Sequence, residues 1–429
     1  MAFRVEAFQN RHLGPGQQRV DAILTVTAGE TGAVAPELVV GFLIDKSGSM
    51  QGDRIHAAIA AVQGAIEQLD ERSWIFVVAF DSTATIVLRP TRATAAGKQT
   101  ASEALGRIHA AGGTAMSTAL KAARMLFAEH EGAIKQAIFL TDGKNESEAA
   151  AQVALELARC EGQFQCDAWG VGTDWKIGEV QEIARMLLGK AALVPEASGV
   201  EAAFRGAIEK ARGKALREVR LRLWTPQTAT LRQIKQATPT LEDMTGRLRA
   251  VGPQQVELAT GAWGPNETRD YHVVIEVKAS AIGAEMLALR PSVAYQEPGE
   301  SGWQDREDRP TEGRVLARWS DDGQLTSPID QHVAYYTGQS ELADVIKQGL
   351  ERRELGDDRA ATELLGRAVR LAHATQNGDM TQRLTRVVDV IDPVEGTVRL
   401  RRDVKKAATM DLQIESRTTR RLDRSTGER

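Results

Sequence analysis

The sequence is short of several features that assign a chain quickly. It has only two cysteines, Cys160 and Cys166, in 429 residues. A disulfide-rich scaffold is excluded. The two could pair, but two reduced, partly buried thiols are expected, as in a cytosolic protein. No stretch approaches the ~18 uncharged apolar residues of a membrane helix. The N-terminus, Met1-Ala2-Phe3-Arg4-Val5-Glu6, has no basic segment leading into an apolar run. No signal peptide is therefore expected, and the cytoplasm is the expected location. A net charge of −4 is small for this length, so the whole molecule is not built to coat nucleic acid or an acidic membrane.

Common catalytic signatures are missing too. The seven histidines are scattered without zinc-protease spacing, which leaves His56 and His109 as helix-surface residues. Gly97-Lys98 runs into Gln99, and Gly189-Lys190 into Ala191, so neither is a phosphate loop. The run Trp169-Gly170-Val171-Gly172-Thr173 lacks the rest of a dinucleotide fingerprint, and no serine lies in a nucleophile-elbow frame.

Hydrophobic residues make up 42%, enough for real cores. The length leaves room for roughly two to four domains. Residues 19–28 alternate as a half-buried strand, and 29–36 read as a linker. From Glu37 the texture changes. Leu38–Asp45 is a continuous apolar run, as expected for a parallel strand covered on both faces. Helical periodicity over 54–69, with Asp53 as expected N-cap, precedes a buried strand at 73–80 and an edge strand at 83–90. Helices at 117–130, 148–160, 177–188 and 200–212 alternate with strands at 135–142 and 164–172. Such alternation predicts a doubly wound, mostly parallel, Rossmann-like α/β sheet.

Beyond about residue 214, strand-like segments at 217–224, 254–261, 270–277, 285–295 and 313–319 predict an antiparallel β-sandwich. The strand at 19–28 has no partner in the α/β unit, so the α/β domain is read as inserted into that sandwich. From Ser340 three helical segments follow, the last read through Ile391. Leu364, Leu365, Val369 and Leu371 lie on an apolar stripe of the middle one. The expected organisation is 1–36, strand(s) completing the sandwich; 37–213, the α/β domain; 214–325, the sandwich; 326–395, a small helical module; and 396–429, a basic, Ser/Thr-rich tail. The run at 305–309 is read as a solvated loop. The tail is read as a solvated extension whose last part is mobile, or as a regulated docking segment in which phosphate on Thr418 or Thr419 would sit beside Arg417, Arg420 and Arg421.

Three segments carry the chemistry: Asp45-Lys46-Ser47-Gly48-Ser49, Gly112-Gly113-Thr114 and Thr141-Asp142-Gly143. All three fall where a doubly wound sheet presents its strand carboxyl ends, so they can converge. Two carboxylates and three hydroxyls are hard oxygen donors suited to Mg²⁺ or Mn²⁺. The set is too small to saturate the ion, and one position stays open.

In this order, the three motifs resemble the von Willebrand factor A family and its metal-ion-dependent adhesion site. The resemblance covers about residues 37–212 and maps the site onto Asp45, Ser47, Ser49, Thr114 and Asp142. It implies metal-dependent protein binding, not catalysis, with a partner's Asp or Glu completing the metal shell. It also implies the intracellular bacterial type, whose members often serve as scaffolds or adaptors. Some occur with MoxR-type AAA+ ATPases, others with kinases and phosphopeptide-binding domains.

A Mg²⁺-dependent hydrolase is the first alternative; it needs a base beside the metal, and Lys46 and Asp81 are the nearest by pattern. Nucleic-acid binding through the basic tail is the second, against which stands the lack of interleaved aromatics there. Specificity for a protein partner is expected from a rim of Lys46, Met50, Thr83 and Lys144.

Overall fold

A computed structural model describes residues 3–30, 36–296, 304–306 and 313–422. The chain opens with β1 (Phe3–Gln9), β2 (His12–Leu13) and β3 (Arg19–Ala28). An α/β unit follows: β4 (Leu38–Asp45), α1 (Asp53–Glu67), β5 (Trp74–Phe80), β6 (Ala84–Arg92), α2 (Ala95–Leu105), α3 (Met116–Ala128), β7 (Ile134–Thr141), α4 (Ala150–Cys160), β8 (Gln165–Val171), α5 (Ile177–Met186), β9 (Ala191–Val194) and α6 (Val200–Arg212).

The sheet order is β6-β5-β4-β7-β8-β9. All neighbours are parallel except β6, which runs antiparallel to β5. Every residue of β4 is buried because both faces are covered. Val40, Phe42 and Ile44 pack with Ile55 and Ala58 of α1 and Phe204 and Ile208 of α6. Val39 and Leu43 pack on the other side with Met116 and Leu120 of α3. From central β4 the chain steps to β5 on one side and later returns to β7 on the other. The loops leaving β4 and β7 therefore diverge at the carboxyl end of the sheet and leave a crevice between them.

The next strands are β10 (Leu216–Trp224), β11 (Ala229–Thr238), β12 (Glu242–Asp243), β13 (Arg249–Gly252), β14 (Gln255–Trp263), β15 (Thr268–Val277), β16 (Glu285–Tyr295), β17 (Gln304–Arg306) and β18 (Val315–Trp319). They build two facing sheets, β1-β3-β15-β11-β12 and β13-β14-β10-β16-β18-β2, with β17 on β16. Phe3, Trp263, Tyr271, Tyr295 and Trp319 fill the space between them. β3 pairs antiparallel with β15 from Thr27↔Thr268 to Arg19↔Glu276, so the α/β unit is inserted between β3 and β10 of one sandwich. Of the run read as a loop at 305–309, Asp305 and Arg306 fall in β17; 307–309 lie outside the described residues.

The last region holds α7 (Gly323–Thr326), α8 (Gln331–Glu354), α9 (Asp358–Ala374), α10 (Gly378–Leu384), β19 (Val388–Asp392), β20 (Thr397–Leu400) and α11 (Lys406–Glu415). Two sequence expectations are corrected here. The helical region begins before Ser340: α8 starts at Gln331, where the Asp330 carboxylate accepts from the His332 and Val333 amides. The third helix ends at Leu384. Val388 to Asp392 is a strand that pairs with β20, as a β-branched run closed by Asp392-Pro393 and the positive-φ Gly396 favours.

The segment after 395 is not a solvated extension as far as Leu422. Met410 and Ile414 of α11 pack into the α/β core, while Leu412 enters the core of the helical region. Beyond α11, the Leu241 amide donates to the Arg417 carbonyl (2.7 Å) and the Thr419 amide to the Pro239 carbonyl (3.1 Å). The Thr419 hydroxyl is buried and donates to the Ala237 carbonyl, which leaves it closed to a kinase in the folded chain. Ser425 and Thr426 lie outside the described residues.

α8 docks on the outer face of β3, so β3 is covered on both sides. Ile23 packs with Val333 and Tyr336. Beside them Asp270, 1% exposed, accepts hydrogen bonds from Thr25 (2.6 Å), Thr238 (2.9 Å) and Tyr336 (2.6 Å). This buried carboxyl, satisfied by hydroxyls from three elements, joins the helical region to the sandwich. Among the described residues, no helix is long and apolar enough to cross a membrane.

Candidate functional site

The site is assembled at the carboxyl ends of β4 and β7. Asp45 is the last residue of β4. Its Oδ1 accepts from the Ser47 amide (2.8 Å), which folds the following residues back over the strand end. Its Oδ2 accepts from the Thr141 hydroxyl at the end of β7 (2.5 Å). A 3-10 turn over Gly48–Met50 then feeds α1.

The second loop, residues 110–114, is pinned to the first by backbone alone. The Ala111 amide donates to the Lys46 carbonyl (2.7 Å) and the Gly48 amide to the Gly112 carbonyl (3.0 Å). Gly112 has φ of +82°, which a side chain would make costly. The third loop is tied to the second in turn: the Thr114 amide donates to the Ser147 hydroxyl (3.0 Å) and the Ser147 amide to the Thr114 carbonyl (3.1 Å). The Asn145 amide donates to Glu179 in the first turn of α5 (3.1 Å). Backbone ties between the first two loops, and side-chain caps from Asp45, Ser147 and Glu179, together set the geometry.

These ties bring the five sequence-predicted residues together. The Ser49 hydroxyl donates to Asp142 Oδ1 (2.6 Å) and lies 3.1 Å from the Ser47 hydroxyl. Gly143 lies beside three of the five. A Cβ placed on it would lie 3.1 Å from the Thr114 hydroxyl, 3.4 Å from the Ser49 hydroxyl and 3.8 Å from Asp45 Oδ2. Asp45, Ser47, Thr114 and Asp142 are buried, whereas Gly48 and Ser49 are exposed, so the cradle opens to solvent at Ser49.

The electrostatics favour an added positive charge. Burial pushes the Asp45 carboxyl up to about 6, and the charge of Asp142 acts in the same direction. Five oxygen side chains, no nitrogen or sulfur, and a raised carboxyl form a donor set that a small hard dication would fit.

One basic residue beside the site escaped the sequence reading. Arg54, in the first turn of α1, places Nη1 2.5 Å from Asp142 Oδ2 and Nη2 3.5 Å from Asp174 Oδ2. The available signal was a cation at a helix N-terminus, where the dipole favours anions.

The expected rim divides. Thr83 and Lys144 are exposed. Met50 is fully buried in the core below the loop, so it is not a rim residue. Lys46 forms an ion pair with Asp81. Burial pushes Asp81 upward, but Lys46 and Thr83 hold it below the ordinary carboxylate range.

Residues 40–144 match the family described as von Willebrand factor type A domain, and residues 370–416 match its C-terminal domain. A solved structure, von Willebrand factor type A from Catenulispora acidiphila, is 37% identical, with 98% of this chain and 97% of that chain covered and a TM-score of 0.91.

The chain belongs to the von Willebrand factor type A family.

The C-terminal match spans the end of α9, α10, the β19–β20 hairpin and α11, so much of the region read as a tail is part of a family domain. The ArnB paralog VWA2 from Sulfolobus acidocaldarius shares the fold at 13% identity, with a TM-score of 0.60 over 97% of this chain and 98% of its own. An uncharacterized protein of Synechocystis sp., sll0103, is 26% identical over 208 residues, 47% of this chain. The chain covers 49% of the length of that curated relative. Von Willebrand factor A domains are commonly protein-interaction modules.

Proposed function

We propose that this von Willebrand factor A protein is a metal-dependent interaction module, a scaffold or adaptor, and not an enzyme. Asp45, Ser47, Ser49, Thr114 and Asp142 would hold one Mg²⁺ or Mn²⁺, with Asp142 acting through water. The bound ion would supply a directional, charge-assisted contact for an Asp or Glu of a protein partner. The observation that carries this reading is the convergence of oxygen side chains at the strand ends: Thr114, Ser49 and Asp45 beside Gly143, with Ser47 and Asp142 joined to them through the Ser49 hydroxyl, in a cradle whose mouth opens at Ser49.

The other readings find less support. Lys46 and Asp81, the nearest bases by pattern, are paired with each other. Several basic residues of the C-terminal segment are engaged within the chain: Arg417 with Glu242 (2.7 Å), Arg420 with Asp379, and Arg401 with Asp389 (2.8 Å). A MoxR-type AAA+ ATPase, or a kinase with a phosphopeptide-binding protein, is the partner class we propose. A cytoplasmic location is part of the same reading and rests on the two free, buried thiols of Cys160 and Cys166.

The test is a pull-down of the full chain from native lysate in Mg²⁺ and in EDTA, beside the Ser47→Ala, Ser49→Ala double variant. A partner lost both in EDTA and in the double variant supports the proposal. Capture indifferent to both contradicts it, as would Mg²⁺-dependent phosphoester hydrolysis abolished by the same variant.

A further inference from the structure

We propose that Arg54 is a built-in counter-cation of the site: it competes with the metal for Asp142 and swings to Asp174 when the metal binds. This rests on the metal reading above.

Asp142 is fully buried, and both its oxygens are taken, Oδ1 by the Ser49 hydroxyl and Oδ2 by Arg54 Nη1. The guanidinium already neutralises this carboxylate. A dication entering the cradle, reached by Asp142 through water, would then share the charge of one buried carboxylate with a second cation, and the two cations repel. Arg54 also lies in the first turn of α1, at the positive end of the helix dipole. Gly52, which precedes the helix, offers no side-chain cap. A cation in this place is unfavourable unless carboxylates hold it.

Two carboxylates do. Asp174, 67% exposed on the loop after β8, lies 3.5 Å from Nη2. Gly172, beside it, leaves room: a Cβ there would sit 3.4 Å from Nη2. The guanidinium therefore bridges a buried and an exposed carboxylate, and rotation of its own side chain is enough to trade one for the other. A partner's carboxylate at the metal would restore the charge balance that Arg54 upsets. Metal and acidic partner should therefore bind cooperatively, each tightening the other by the same factor.

The test is Mn²⁺ binding to the full chain, by calorimetry and by the electron paramagnetic resonance signal of free Mn²⁺. Wild type is compared with Arg54→Gln, Arg54→Lys and Asp174→Asn, and each fold is checked by circular dichroism. Arg54→Gln should bind Mn²⁺ about ten-fold more tightly or better, because one repelling charge is gone. Arg54→Lys, which keeps the charge, should stay near wild type. Asp174→Asn, which removes the second station, should weaken binding. Equal or weaker binding by Arg54→Gln overturns the competition, and unchanged binding by Asp174→Asn overturns the swing; in both cases the metal site stands. Failure of wild type and Arg54→Gln alike to bind Mn²⁺ overturns the metal reading and this inference together.

Discussion

Gly143→Ala probes the cradle without removing a donor atom. The glycine does not occupy the left-handed region, so its backbone accepts alanine. The added methyl would stand 3.1 Å from the Thr114 hydroxyl, tight enough to require a shift of a few tenths of an ångström, and 3.4 Å from the Ser49 hydroxyl. Replacing glycine lowers the entropy of the unfolded chain by roughly 0.4–1 kcal/mol, and the tight contact offsets part of that gain. The net change in stability should be about 1 kcal/mol or less, of either sign. Metal binding responds differently. An ion ~2.0–2.1 Å from its ligands must sit among these same oxygens, and the methyl occupies their common space. Affinity for Mg²⁺ should fall at least about ten-fold, which is ~1.4 kcal/mol. Calorimetry and a thermal melt on the same preparation separate the two effects. Wild-type affinity in a folded Gly143→Ala chain would refute the placement of the ion. A loss of more than ~3 kcal/mol of stability would refute the expectation that the Thr114 hydroxyl can give way to the methyl.

Other outcomes follow from the packing. Tyr336→Phe, nearly isosteric, removes one of three hydroxyls from buried Asp270 and should cost about 1.5–2 kcal/mol in a urea melt; a change under ~0.5 kcal/mol would remove that contact from the docking of α8. Ile414→Ala should cost about 2–4 kcal/mol, whereas Lys406→Ala on the same helix should stay within ~0.5 kcal/mol; equal effects would mean that α11 does not wedge between two cores. Burial pushes the Cys160 thiol up to about 12 and raises Cys166 as well, so neither should form a reactive thiolate near pH 8. A colorimetric thiol reagent should label neither in the native chain and both in denaturant; rapid native labelling would contradict their burial.

The three segments of the candidate site and their sheet were legible for one physical reason. Parallel strands covered on both faces read as unbroken apolar runs, as in Leu38–Asp45, and polar loops at their ends stand out against them. α11 was hidden because it has no single apolar stripe: Met410 and Ile414 face one core and Leu412 faces another. α2 offers only Ala101 and Leu105 as buried apolar side chains, too few to show a period. β3 reads as half-buried, but Ile23 and Thr25 are covered by a helix that begins some 300 residues later, which no local pattern encodes. Met50 looks like a loop residue until the 3-10 turn aims it into the core. Arg54 reads as ordinary helix surface until α1 is placed against Asp142.

The measurement that bears most directly on the central claim is a calorimetric titration of Mg²⁺ and Mn²⁺ into wild type and Asp45→Ala. Asp45 takes the Ser47 amide on one oxygen and the Thr141 hydroxyl on the other, at the floor of the cradle. The account predicts one ion per wild-type chain and no detectable binding by a folded Asp45→Ala. Equal binding by the two chains, or none by wild type at millimolar ion, would contradict it.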